Sequence, residues 1–233
     1  MSKNNTSLLL RTPEFRMSYV TLIDPERFKN PNTGQEAGEP KFSLEMLFKP
    51  EDLDNFQVKT DDGGWEQINV RNAMAQVAKA KWPELNLKEA VKAKDLSWPL
   101  VDGEVKKTKR EAKGKNGDVY TGMQVIPCTG SQKYPPQLYI IDGGKYRELN
   151  RAKDEDRATI DSVFVPGYYA SANVNVKATE FNGKFITFYV NSVLFRREGE
   201  RIGGMSATDR FGGIDGGQSS YDPTDGLDDE IPF

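Results

Sequence analysis

The chain has 233 residues, with 32 Lys+Arg against 35 Asp+Glu, a single cysteine (Cys128) and no histidine. One cysteine excludes an internal disulfide and a cysteine-cluster zinc site, and the lack of histidine removes the commonest general base and metal ligand. Apolar runs never reach the roughly 18 residues of a membrane span, and Leu8-Leu9-Leu10, with Arg11 behind it, is too short for a secretory signal. The expectation is a cytoplasmic protein that contacts no membrane, holds no cofactor or metal and is not an enzyme.

Residues 1–11 read as polar and loose. Residues 15–23 alternate Phe15, Met17, Tyr19 and Thr21 against Arg16, Ser18 and Val20, which predicts a first strand. Residues 24–40, dense in Pro, Asn and Gly, predict a loop. In residues 41–49 Phe42, Leu44, Met46 and Phe48 share one face of a second strand, and Pro50 opens a short helix. Past the Asp61-Asp62-Gly63-Gly64 turn, Val70, Ala73, Met74 and Val77 fall at helical spacing in a helix over 66–81 that Pro83 stops. A further helical turn or two over 85–94 completes a helical insert, residues 50–94, that caps the core.

The run 105–115 carries Lys106, Lys107, Lys109, Arg110, Lys113 and Lys115 against Glu111. Two readings stand for it. It is a solvated loop, or a mobile finger between strand-like 98–101 and 120–128 that closes over a polyanion. Cys128 reads as a small core residue on that following strand. Residues 137–142 predict another strand, turned by Gly143-Gly144. Asp154, Glu155, Asp156 and Asp161 invite a metal-dependent phosphoryl reaction, but no calcium-type loop pattern accompanies them.

Residues 168–197 are two alternating runs flanking Asn182-Gly183, a hairpin signal. A three-residue turn, with Gly183 in the left-handed position, pairs Val176 with Phe188, Val174 with Val190 and Ala178 with Ile186, and so gathers one apolar face. The opposite face then presents Asn173, Asn175, Lys177, Thr179, Thr187, Tyr189 and Asn191, with Tyr169 and Phe181 in line. Such a face is ordinary for a half-exposed strand. It also holds what a single-stranded nucleic acid needs, rings for bases and donors or cations for phosphates. Arg196, Tyr120 and the other tyrosines favour the second reading.

Residues 203–233 are rich in Gly, Ser and Asp and lack any hydrophobic period, which predicts an acidic tail without fixed structure. The tail holds seven acids and Arg210, a charge of −6, whereas residues 1–202 hold 31 Lys+Arg against 28 Asp+Glu, or +3. Its end, Asp228, Asp229, Glu230, Ile231, Pro232 and Phe233, combines steering acids, an apolar anchor and a carboxylate, the makings of a peptide ligand.

That hexapeptide resembles the C-terminal tip of bacterial single-stranded DNA-binding proteins, which recruits replication and repair enzymes. With the basic run and the hairpin, the chain resembles the single-stranded DNA-binding proteins of tailed phages. The likeness is best in Ile126-Pro127-Cys128-Thr129-Gly130-Ser131, Val165-Pro166-Gly167-Tyr168-Tyr169 and Glu198-Gly199-Glu200-Arg201-Ile202-Gly203-Gly204. The resemblance implies a mainly β (α+β) OB-fold, a five-stranded Greek-key barrel elaborated with helices, over residues 1–202. It also implies DNA protection in phage replication, recombination and repair inside the host cytoplasm. The tail would recruit a polymerase, helicase or primase and block the DNA groove in cis or in a dimer partner. The candidate DNA contacts are Lys106, Lys107, Lys109, Arg110, Lys113, Lys115, Tyr120, Tyr169, Asn175, Lys177, Phe181, Tyr189 and Arg196. A non-catalytic adaptor with little DNA affinity, and a nuclease using the acids between Asp154 and Asp161, stand as alternatives.

Overall fold

A computed structural model describes residues 6–29 and 33–202. The chain begins with strands β1 (Ser7–Arg11), β2 (Phe15–Lys29), β3 (Glu36–Phe48), β4 (Phe56–Lys59) and β5 (Trp65–Ile68). Helices α1 (Val70–Lys81) and α2 (Leu87–Lys92) follow, then the short strands β6 (Leu96–Ser97) and β7 (Val101–Asp102) and helix α3 (Gly103–Glu111). Strands β8 (Gln124–Ser131), β9 (Gln137–Asp142) and β10 (Lys145–Leu149), helix α4 (Asp154–Val163), and strands β11 (Tyr169–Glu180) and β12 (Lys184–Arg197) complete it.

Five of these strands close on themselves. β3 lies antiparallel between β2 and β8, and β8 runs parallel to β12 through Phe188↔Cys128 and Tyr189↔Thr129. β12 is antiparallel to β11, which returns to β2 at Tyr169↔Arg16 and Ala170↔Phe15. The circuit β2–β3–β8–β12–β11 is a closed, OB-like barrel, and closure leaves these strands no exposed edge along the circuit. No helix among the described residues is long and apolar enough to cross a membrane.

Period-two alternation fills the barrel. Phe42, Leu44, Met46 and Phe48 of β3 point inward, as do Ala170, Ala172, Val174, Val176 and Ala178 of β11 and Ile186, Phe188 and Val190 of β12. Phe48 sits between Phe15 and Phe56, with centroids 5.6 and 5.1 Å away, and burying each such ring contributes roughly 1.5–3 kcal/mol. Helix α1 starts at Asn69, whose side chain accepts from the Arg71 N–H, and buries Val70, Ala73, Met74 and Val77, the stripe its sequence spacing predicts.

The hairpin follows the predicted register, with Val174↔Val190, Val176↔Phe188 and Ala178↔Ile186 about a three-residue turn. Within that turn the left-handed position belongs to Asn182 (φ 51°), while Gly183 takes φ +143°, a region that suits only glycine. Strand 137–142 and its Gly143-Gly144 turn also match, and Cys128 is a core residue on β8, its thiol pushed up by burial.

Four expectations fail, each for a tertiary reason. Residues 7–11 are not loose: β1 fills the gap between β11 and β4, from Ser7↔Lys177 to Arg11↔Asn173, and buries Leu10. Residues 24–40 are not a plain loop, because β2 and β3 extend as a ribbon through Glu26↔Lys41, Phe28↔Ala37 and Lys29↔Glu36. Pro25 and Pro40 are tolerated because register shifts take them out of the ladder. The insert 50–94 contains the β4–β5 hairpin besides its helices. The basic run begins as helix α3, capped by the Asp102 carboxylate on the Glu104 N–H, and is not a finger-like loop. The expected acidic tail lies outside the described residues.

Candidate nucleic-acid interface

The β2–β3 ribbon curls beside the outer face of β3 and β8 and makes a groove of about 1220 Å³. In β2 a register shift between Met17 and Tyr19 buries Ser18 and turns Tyr19 outward, 49% exposed, against the simple alternation expected from sequence. Phe28 lies further along the same wall, 66% exposed. Arg27, Lys29 and Lys41 add cations, and Ser43, Pro127 and Thr129 form the floor. Burial, Glu26 and Glu45 push the Tyr19 phenol above its ordinary value, so the ring stays neutral and does not repel a phosphate chain.

Carboxylates line this groove too: Glu26, Glu36, Glu39 and Glu45. Two of them are matched, Glu36 by Lys29 at 3.5 Å and Glu45 by Lys106 together with the Ser18 hydroxyl at 3.1 Å. The Lys106–Glu45 pair ties α3 to the outer face of β3. Gly103 lets the start of α3 lie against the segment before β8: a Cβ there would lie 2.0 Å from the Tyr120 carbonyl oxygen. The ion pair with Glu45 places Lys106 beside the groove.

The predicted residues divide among several places. Lys109, Lys113 and Lys115 are exposed on and after α3. Lys107 is paired with Asp118 at 3.4 Å, and the Arg110 Nε–H donates to the Asn116 carbonyl. Tyr120 is not a stacking surface: it is 2% exposed, packed with Leu47 and Val125, with Arg110 over its ring at 5.6 Å. Tyr189 is 36% exposed and directly opposite Thr129, a groove residue, so it flanks the groove across the parallel seam. Asn175 pairs with Tyr189 in the next strand and donates to Asn191 at 3.2 Å. Lys177 lies exposed between Ser7 and Thr187, and Phe181 is 80% exposed at the hairpin tip. Tyr169 is covered by the Arg197 guanidinium at 3.5 Å, and Arg196 is exposed in a separate groove. Asp228 to Phe233 lie outside the described residues.

Tyr19, Arg27, Phe28, Lys29 and Lys41 escaped the sequence reading. Their signal is Arg27-Phe28-Lys29, a ring between two cations in a segment whose prolines and glycines suggested only a loop. Of the acids of the nuclease alternative, Asp154, Glu155 and Asp156 sit in the first turn of α4 and Asp161 near its end; Asp156 accepts from the Asn150 N–H and Arg147, which hold its carboxyl below the usual range. Among the described residues no three His, Cys, Asp or Glu side chains group as a metal site.

An OB-like barrel whose strand face carries exposed rings between cations defines a class, folds built to hold a single strand of nucleic acid. The sequence model of the Enterobacter phage Enc34 ssDNA-binding protein family matches residues 9–222, and the chain belongs to that family. Among solved structures, the single-stranded DNA-binding protein from bacteriophage Enc34 in complex with ssDNA aligns with a TM-score of 0.54 at 18% identity, over 87% of this chain and 96% of that one. A C-terminal truncation of the bacteriophage Enc34 protein aligns with a TM-score of 0.55 at 19% identity, over 87% and 94%. At these identities the likeness concerns the fold. A search of curated proteins finds no match.

Proposed function

We propose that the chain binds single-stranded DNA without sequence preference, in the groove over β2, β3 and β8, and serves phage DNA replication, recombination and repair. The observation that carries this reading is the pair of exposed rings, Tyr19 and Phe28, set among Arg27, Lys29 and Lys41 on the outer barrel face. Rings stack on any base and cations follow any phosphate chain, so the arrangement favours a strand without selecting its sequence. The Enc34 protein solved with ssDNA supports the reading through its shared fold. Lys109, Lys113 and Lys115 on the α3 side and Tyr189 across the seam extend the contact.

The tail adds a second activity. Its −6 charge competes with DNA for these cations, and Ile231-Pro232-Phe233 behind three acids docks replication proteins. The test is binding of fluorescent oligo-dT by the full chain and by a chain ending at Gly203, each at two salt concentrations. Tighter binding after truncation, with steep salt dependence, is the expected result. Binding unchanged by truncation would limit the tail to docking. Absence of binding by both forms would remove the DNA function and leave the adaptor.

A further inference from the structure

A second groove, of about 600 Å³, lies elsewhere on the barrel's outer surface, between the β1–β2 corner and the β9–β10 hairpin. Its floor is one cross-strand row, Arg11↔Asn173↔Ser192↔Gln137, beside a second, Ser171↔Leu194↔Tyr139↔Glu148. Tyr146, 73% exposed, and Arg196 stand at its edge. Of the carboxylates at these rows, Glu14 is held by Arg197 at 2.7 Å, and Glu148 accepts from the Gln137 amide at 3.3 Å and the Tyr139 hydroxyl at 3.4 Å. Arg11 rests on the Trp65 ring, 4.1 Å from its centroid, so the guanidinium is presented in a fixed place. Asn173 donates to the Ser192 hydroxyl at 3.1 Å, yet its Oδ1 is buried without a donor.

We propose that this second groove receives a nucleotide of single-stranded DNA that has left the first, an inference that rests on the function proposed above. The base stacks on Tyr146, while Arg11 and Arg196 hold the flanking phosphates. The path between the grooves is short. Thr129, on the floor of the first, is opposite Tyr189, and Ser192, on the floor of the second, lies three residues further along β12. At ~3.3 Å per strand residue that is roughly 10 Å. The strand therefore crosses Tyr189 and wraps the barrel, where a single groove would let it pass straight through.

The test uses the full chain and its Tyr146→Ala/Arg196→Ala variant, two exposed positions outside the core. Oligo-dT of about 8 nucleotides fits one OB groove, whereas about 24 exceeds the ~4–16 that one fold occludes. The variant should bind the longer oligonucleotide about fivefold to 150-fold more weakly, the equivalent of one stacked base, and the shorter one as the parent does. With 5-iodouracil in the longer strand, photocrosslinks should map to Tyr146 or Tyr139 as well as to Tyr19. Equal weakening at both lengths, or no weakening at either, overturns the proposal. Crosslinks confined to Tyr19 and Phe28 overturn it while leaving the first groove intact. Failure of the parent to bind either length removes both.

Discussion

Two tyrosines show how side chains of one kind come to do opposite work. Tyr120 is packed with Leu47 and Val125 beneath Arg110, whereas Tyr19 stands out of β2 into the groove. Truncating a buried ring leaves a cavity, so Tyr120→Ala should cost about 3 kcal/mol or more and lower the melting temperature. Tyr19→Ala should leave the melt unchanged and weaken oligo-dT binding by the ~1–3 kcal/mol of one stacked base. Calorimetry beside fluorescence titration separates the two outcomes. A Tyr19 variant that binds as tightly as the parent would take the rings out of the mechanism. Sequence could not rank these residues. Which tyrosine is covered depends on where α3 docks, and which one faces outward depends on a register shift at Ser18 that no period-two pattern reveals.

At the scale of elements, legibility followed locality. Near its turn, from Val174 to Ala178, the β11–β12 pairing could be read to the residue because alternation and the Asn182-Gly183 turn both lie inside the hairpin; the register shift beyond Val174 could not. The buried stripe of α1 was equally plain. By contrast β1 is a strand only because β11 and β4 lie on either side of it, and the β2–β3 ribbon carries prolines that locally argue against pairing. The basic run was legible as charge and not as helix: its first turn is fixed by Asp102 and by the Lys106–Glu45 pair, 61 residues apart in sequence. This organisation divides the lysines by role. Lys109, Lys113 and Lys115, replaced together by Gln, should leave stability alone and flatten the log–log salt dependence of DNA binding. The slope should fall by about 0.7 for each phosphate that is no longer neutralised. An unchanged slope would place the strand away from α3.

At the scale of the molecule, a barrel that joins β2 to β11 and β8 to β12 cannot be assembled piecemeal. A chain ending at Gly203 keeps every barrel strand and should melt in one cooperative step. A chain ending at Gly183 lacks β12, exposes the inner edges of β8 and β11, and should show no cooperative melt and a tendency to aggregate. A cooperative transition in the shorter chain, followed by circular dichroism, would mean that the remaining strands form an independent unit. The expected α+β, OB-like fold class survives at this scale, and it came from the resemblance to phage single-stranded DNA-binding proteins rather than from any local pattern. The groove over β2, β3 and β8 was not legible in the sequence: Phe28 lies in the segment read as a loop, and Tyr19 in a strand read by simple alternation.

The pairing of β2 with β11 has a last consequence, for the order of synthesis. Phe15 and Arg16 leave the ribosome some 150 residues before Tyr169 and Ala170, their eventual partners. From the emergence of β8 until β11 and β12 are made, the nascent polypeptide therefore carries an open β2–β3–β8 sheet, with the inner face of Phe42, Leu44 and Met46 unburied and two strand edges free. Burial of that face waits for β11 and β12, so nascent copies on neighbouring ribosomes are exposed to one another and to chaperones until the final barrel strand emerges.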